Sequence, residues 1–490
     1  MDIINYKLLS FLNLLSKEDL SQFKKFVSSP VYSSGRNYLP LLEEIIKYRN
    51  EATEKISAFD LYEKVYPGKK FSGQTLKNRF SELLKLGEEF IIYKNVKGDE
   101  IQRDYILLDA YLKNKMFRFY EGKYKKALKF LDSHKTDDKK FSNIYSLNQK
   151  NLKYLNETDK IDKYYLNLYD HTIYSTCMSL IALFDYGIEF KQQDYLGRKY
   201  EFNIVLNVLK KLDLKEILGD FERKDLEIIN VVKLYYHLYK AYENLDKESF
   251  YFEARKIFSE IKRNFSDDYK LKFYMIFIYY CTRKQNLGDK KFYPELFKLY
   301  NEKLDSGFYS DFKENIYPVN NFRDYVYIGL VIEKPDWVLN FIKKYSHLLP
   351  KKIRENEINL SYSKLEFYRK NYAKSLESVL MVKPGNYLHY LDSAMMRMTN
   401  FYELDQIEEA YFEIDKLRHY VRNHKEIPKI HRQYNLNFAK IYNNLLKLKT
   451  DYNKKNLISL EDDLVKSVFI SKKNWLTEKL GEFKKIKKAV

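Results

Sequence analysis

Fourteen glycines and nine prolines, 23 in all, punctuate a chain of 490 residues. Average usage would supply about 59. Turns of β-rich folds consume Gly and Pro, so this scarcity leaves long helices joined by short loops. Aromatic side chains are abundant, with 47 Tyr and 33 Phe. Tyrosine buries its ring and keeps its hydroxyl wet, which suits helix pairs open to solvent on one side. The expected fold class is all-α.

The first 95 residues read as a small helical domain. Ser16 is placed to cap a helix, with Asp19 as its acidic N3 partner, and Leu20, Phe23, Phe26 and Val27 share one face. Helices are expected near 40–50 and 58–65, then the turn "YPGKKFSG" and a long helix from about 75 carrying Leu76, Phe80, Leu83, Leu84 and Phe90 on one side. "NVKGDE" (95–100) is the expected linker. From 101 to 490 the pattern is helix and short loop throughout, ending in "KNWLTEKLGEFKK", a capping helix with Trp475, Leu476, Leu480 and Phe483 together.

Between residues 101 and 490 a single pattern recurs. Phe119, Tyr124, Ala127 and Leu131 are matched by Phe367, Tyr372, Ser375 and Val379, and again by Tyr402, Ile407, Ala410 and Ile414. A shorter copy without the leading aromatic is Tyr251, Ala254 and Phe258. From Ser375 to Ala410 the step is 35 residues. The physical sense is a helix hairpin. The first aromatic ends one helix, the next ring starts the second, and the small residue admits a close neighbour. "EGKYKKALKFL" (121–131), through Gly122, Tyr124, Ala127 and Leu128, resembles the start of the second helix of the tetratricopeptide repeat. Ser363 is the small residue expected in a first helix, while the family's first-helix Trp is absent and Ser375 replaces its usual Ala. The resemblance implies an irregular α-solenoid over 101–490 that binds a protein or peptide along one face. The layout, with "FKKFVSSPVY" early and "KNWLTEKL" late, is also similar to a group of uncharacterised bacterial proteins, which brings no activity with it.

The formal net charge is +19. Lys dominates Arg and alternates with Glu along the whole chain, so the charge reads as compositional, with acidic protein partners favoured. A nucleic-acid-binding regulator is the alternative. There 58–94 would be a helix-turn-helix, with Lys77, Asn78 and Arg79 near the start of its second helix and Lys69 and Lys70 in the turn to meet phosphates. Chemistry is not evident. His419, His424 and His431 stand five and seven apart, whereas a helical zinc pair needs four. "YPGKKFSG" lacks the first Gly and the Ser or Thr of a phosphate loop. Cys177 and Cys281 are too far apart for a metal motif and fit a reducing compartment. With no acceptable signal peptide and no apolar run long enough for a bilayer, the expectation is a cytoplasmic, non-enzymatic scaffold with no cofactor or metal.

Overall fold

The computed structural model describes residues 7–50, 57–198, 200–221, 226–309, 317–383, 385–467 and 470–486. The first six residues of the stretch read for a signal peptide lie outside them. The described residues form 25 α-helices and a single isolated bridge, Thr136 to Phe265. The protein is all-α. No described helix is long and apolar enough to cross a membrane. The chain gathers into two compact units, Met1–Phe265 and Ser266–Val490.

In the first unit, residues from Leu8 to Phe90 share one hydrophobic core. Ser16 caps helix Lys17–Ser28 by accepting the Asp19 amide at 3.1 Å. Leu76, Phe80, Leu83 and Phe90 are buried, and Leu86 joins them where Leu84 was expected. The expected linker is mostly helix. Helix Gly73–Gly98 runs through Asn95, and helix Glu100–Lys113 starts after Asp99, whose carboxylate caps it on the Gln102 amide at 3.0 Å. A capping Asp between two helices takes the place of the expected flexible segment. A second core begins at Ile101.

Hairpins share one turn. In five places among the described residues a helix ends, one residue adopts a left-handed conformation, and the next helix starts two residues later. The left-handed residues are Lys115, Asp159, Glu333, Lys370 and Asp405, with φ between +50° and +62°. Each time the amide of the following residue reaches back five residues, as Met116 to the Tyr111 carbonyl or Asn371 to that of Glu366, at 2.8–3.0 Å. This is the Schellman arrangement that satisfies the last carbonyls of a helix. Glycine is its usual occupant, and none is used here.

Aligned on this turn, the recurring residues fall differently from the sequence pattern. Tyr372 and Ile407 are first in their helices, as expected, with Ser375 and Ala410 buried three residues later. Phe367 lies near the end of the preceding helix, 5.3 Å from the Tyr372 ring, and Tyr402 likewise precedes its turn, while Val379 and Ile414 are buried. In the earlier copy the helix is Phe117–Asp132, so its counterparts are Phe117, Tyr120 and Tyr124. Tyr124, Ala127 and Leu131 lie seven residues further in, and Phe119, expected to close the previous helix, is 60% exposed. Seven residues is nearly two helical turns, so the shift keeps Ala127 and Leu131 on the buried face. Gly122 faces open space and is not required sterically. Tyr251, Ala254 and Phe258 are fully buried in helix Ser249–Ile261.

The left-handed turns give a direct test. Lys115→Gly and Glu333→Gly each remove strain at an exposed position, and should raise stability by about 0.5 kcal/mol after the entropy of the unfolded glycine is offset. Urea unfolding midpoints report it, and a lower midpoint for both variants contradicts the shared turn.

Candidate functional site

The basic residues of the N-terminal unit differ in exposure and in partners. Lys69 and Lys70 are exposed in the turn, Lys77 is half-buried and Asn78 is exposed, accepting the Gln74 side-chain amide at 2.9 Å. Arg79 bonds the Glu82 carboxylate at 2.6 Å. The same carboxylate takes Arg36 at 2.7 Å and the Tyr38 hydroxyl at 3.0 Å. Arg79 is therefore held in an internal network, and Tyr66 to Ser72 separate the two helices.

The second unit holds a larger feature, a cavity of about 890 Å³. That is within the range of ligand pockets. Helices Val319–Val331, Arg354–Tyr368, Tyr387–Glu403 and Lys429–Thr450 supply walls, and the segment Ile470–Glu478 closes another side. Aromatic rings face it from every one of these elements except Tyr387–Glu403, which contributes Leu388, Leu391, Met395 and Met396. Tyr368 and Lys473 are exposed at its rim, so the cavity reaches the surface.

Trp475 is fixed in its wall. Its indole N–H donates to Glu403 at 2.7 Å, and its ring meets Tyr402 edge-on at 5.2 Å. Glu403 in turn pairs with the buried Lys479 at 3.0 Å. Asp392 pairs with Arg323 at 3.1 Å. Two of the carboxylates that face the cavity are thus each paired with a cation that does not line it, Arg323 being shared with Glu357 and Lys479 with Glu478 and Glu482.

Arg323 also makes the most deeply placed ion pair here. It grips Glu357 through two bonds, Nε at 2.8 Å and Nη2 at 2.6 Å, and His389 Nε2 meets the same carboxylate at 2.5 Å. Glu357 is fully buried. Burial alone would raise its pKa, but the bonds from His389 and Arg323 outweigh it and bring the value down to about 2. The cluster ties three consecutive first helices together behind the cavity. A second buried network does the same between hairpins. Ser375 donates to the Ser363 carbonyl at 2.8 Å and accepts from Asn400 at 2.9 Å.

What remains is positive. Among the described residues neither Lys364 nor Lys472 pairs with a carboxylate. The Lys472 ammonium lies 3.3 Å from the Met396 sulfur and 5.6 Å from the centre of the Phe367 ring. Burial and then the Lys364 charge lower its pKa, against the opposing pull of Asp392, to about 8. The residue is itself in the left-handed region, φ +55°.

Of the three clustered histidines only His431 reaches this cavity, and His419 bonds Asn423 while His424 stacks on Tyr420. Lys364, Lys472, Arg323, Glu357 and His389 carry no sign in the sequence, because no local spacing connects them. No known family model matches the chain, and no curated protein matches it.

The buried cluster has a pH signature. A carboxylate whose pKa is depressed by folding stabilises fully above the unfolded value near 4.3, and loses that stabilisation as pH falls toward 2. Glu357→Gln should cost about 3 kcal/mol at pH 7. Chemical denaturation of both proteins between pH 7 and pH 2.5 should show the gap narrowing below pH 5, and a constant gap contradicts the assignment.

Proposed function

We propose that the protein is a non-enzymatic scaffold whose second unit holds a short acidic segment of a partner protein in the 890 Å³ cavity. The observation that supports this is the pairing of aromatic walls with two lysines that form no ion pair among the described residues, Asp324 and Asp392 acting on them only from beyond that distance. Aromatic side chains supply binding area at low entropic cost, and desolvated opposite charge supplies orientation. Repeated hairpins around the cavity are in keeping with tetratricopeptide-like scaffolds, a fold-level analogy only. Nucleic-acid binding through the first 95 residues is the second reading. Exposed Lys69 and Lys70 favour it, and the engagement of Arg79 by Glu82 weighs against it.

A displayed peptide library panned against the full-length protein tests the first reading. Enriched peptides should join Asp or Glu to an aromatic or aliphatic residue, and Lys364→Glu with Lys472→Glu should weaken them by about a hundredfold, as loss of two desolvated charge pairs implies. Enrichment that ignores both lysines contradicts it. Labelled DNA and RNA titrated in parallel across a salt series decide the second reading, which requires binding that falls steeply with salt.

A further inference from the structure

Lys472 has the surroundings of a reactive amine rather than those of a structural cation. A structural lysine is held by a carboxylate, as Lys479 is by Glu403 and Glu482 at 3.0 and 2.8 Å in the same unit. Lys472 has a thioether and an aromatic face instead. Two devices activate a lysine for attack on carbonyl carbon: desolvation in an apolar pocket, and a second cation nearby. Both are present. Phe367 and Met396 lie against the amine, Met395 and Trp475 line the same cavity, and Lys364 is the second cation.

Other titratable groups facing the cavity do not cancel this arrangement. Asp392 is engaged by Arg323 and Glu403 by Lys479. Lys370, His431 and Lys473 add no negative charge, Tyr327, Tyr368, Tyr372 and Tyr434 are phenols, and Glu478 lies on the last helix, where it stands 3.8 Å from Lys479.

We propose that the Lys472 amine is a covalent ligand site that takes an aldehyde with an apolar body as an imine. The unprotonated Nζ lone pair attacks the carbonyl carbon and forms the C–N bond. The carbonyl π pair moves to oxygen, which gains a proton, giving a carbinolamine. Its hydroxyl then leaves with a proton as water, and the nitrogen, having lost its second hydrogen, completes the C=N bond. Nothing is oxidised or reduced, and hydrolysis reverses the step. The volume of the cavity accommodates a small aromatic or short aliphatic aldehyde beside the Phe367 ring. This site shares the cavity with the peptide-binding reading and does not require it, because imine formation is read on the protein alone.

The test uses the full chain, salicylaldehyde as probe, and cyanoborohydride to fix any imine, followed by mass mapping of every labelled lysine at pH 7.5. An amine titrating near 8 holds roughly a hundred times more free base at that pH than one near 10.5, and its lower intrinsic nucleophilicity offsets some of this. Lys472 should label about tenfold faster than exposed Lys69 and Lys70. Lys364→Met, which removes the neighbouring charge without touching the amine, should move the pH midpoint of labelling upward, and Lys472→Arg should abolish the fast phase. Labelling that follows surface exposure, with Lys472 no faster than the exposed lysines, overturns the proposal whatever the peptide experiment shows.

Discussion

Everything in the helical pairs depends on how a helix is stopped. A helix leaves four carbonyls without partners, and the next helix can fold back closely only if those groups are satisfied inside the turn. The left-handed residue does this at Lys115, Asp159, Glu333, Lys370 and Asp405, with the same back-reaching amide each time. Three of the five fall in the second unit, where they place Val319–Val331, Arg354–Tyr368 and Tyr387–Glu403 so that their side chains can share one cavity. Strain of about 1 kcal/mol at each is small beside the burial it permits, since one buried aromatic or aliphatic side chain contributes roughly 1.5–3 kcal/mol.

The buried charges of the second unit follow a division. Arg323 holds Glu357 and Asp392, and Lys479 holds Glu403. A buried ion pair adds little net stability over an apolar substitute, yet losing one partner is expensive. Such pairs therefore fix which helices meet more than how tightly. By pairing Asp392 and Glu403 from behind, they leave Lys364 and Lys472 among the cavity's aromatic rings with no ion-pair partner among the described residues. The candidate site is thus a consequence of how acidic groups are satisfied elsewhere.

Helical class was legible because composition and apolar periodicity are properties of the whole chain. The hairpins at 367–379 and 402–414 were legible because an aromatic before the turn and a large apolar residue after it mark its two sides, with Phe367 packing on Tyr372 in the first. The earlier copy misled by seven residues because a face-matching pattern repeats every two helical turns and carries no register. Only the turn carries register, and with Lys, Asp or Glu in place of Gly it has no compositional signal. Asp99 was hidden for a similar reason: one capping residue separates two helices in a stretch whose Gly98 and charges suggest a linker. Phe367, Tyr372 and Trp475 were legible as packing residues, but the charged groups in and behind the cavity were not. Arg323, Glu357 and His389 meet only after several hairpins have packed, and Lys472 reaches Met396 and Phe367 only then too.

Among the described residues Lys472 has no ion-pair partner and lies against the Met396 sulfur and the Phe367 ring, and on that state of the amine the rest of the site depends. Reductive dimethylation with ¹³C-formaldehyde, followed by NMR titration of the lysine methyl signals, reads it. One signal should titrate near pH 8, apart from the other lysine signals, and be absent from Lys472→Arg. A Lys472 signal that titrates with the exposed lysines would show that the amine is compensated or solvated, and would contradict both the cavity's charge and its chemistry.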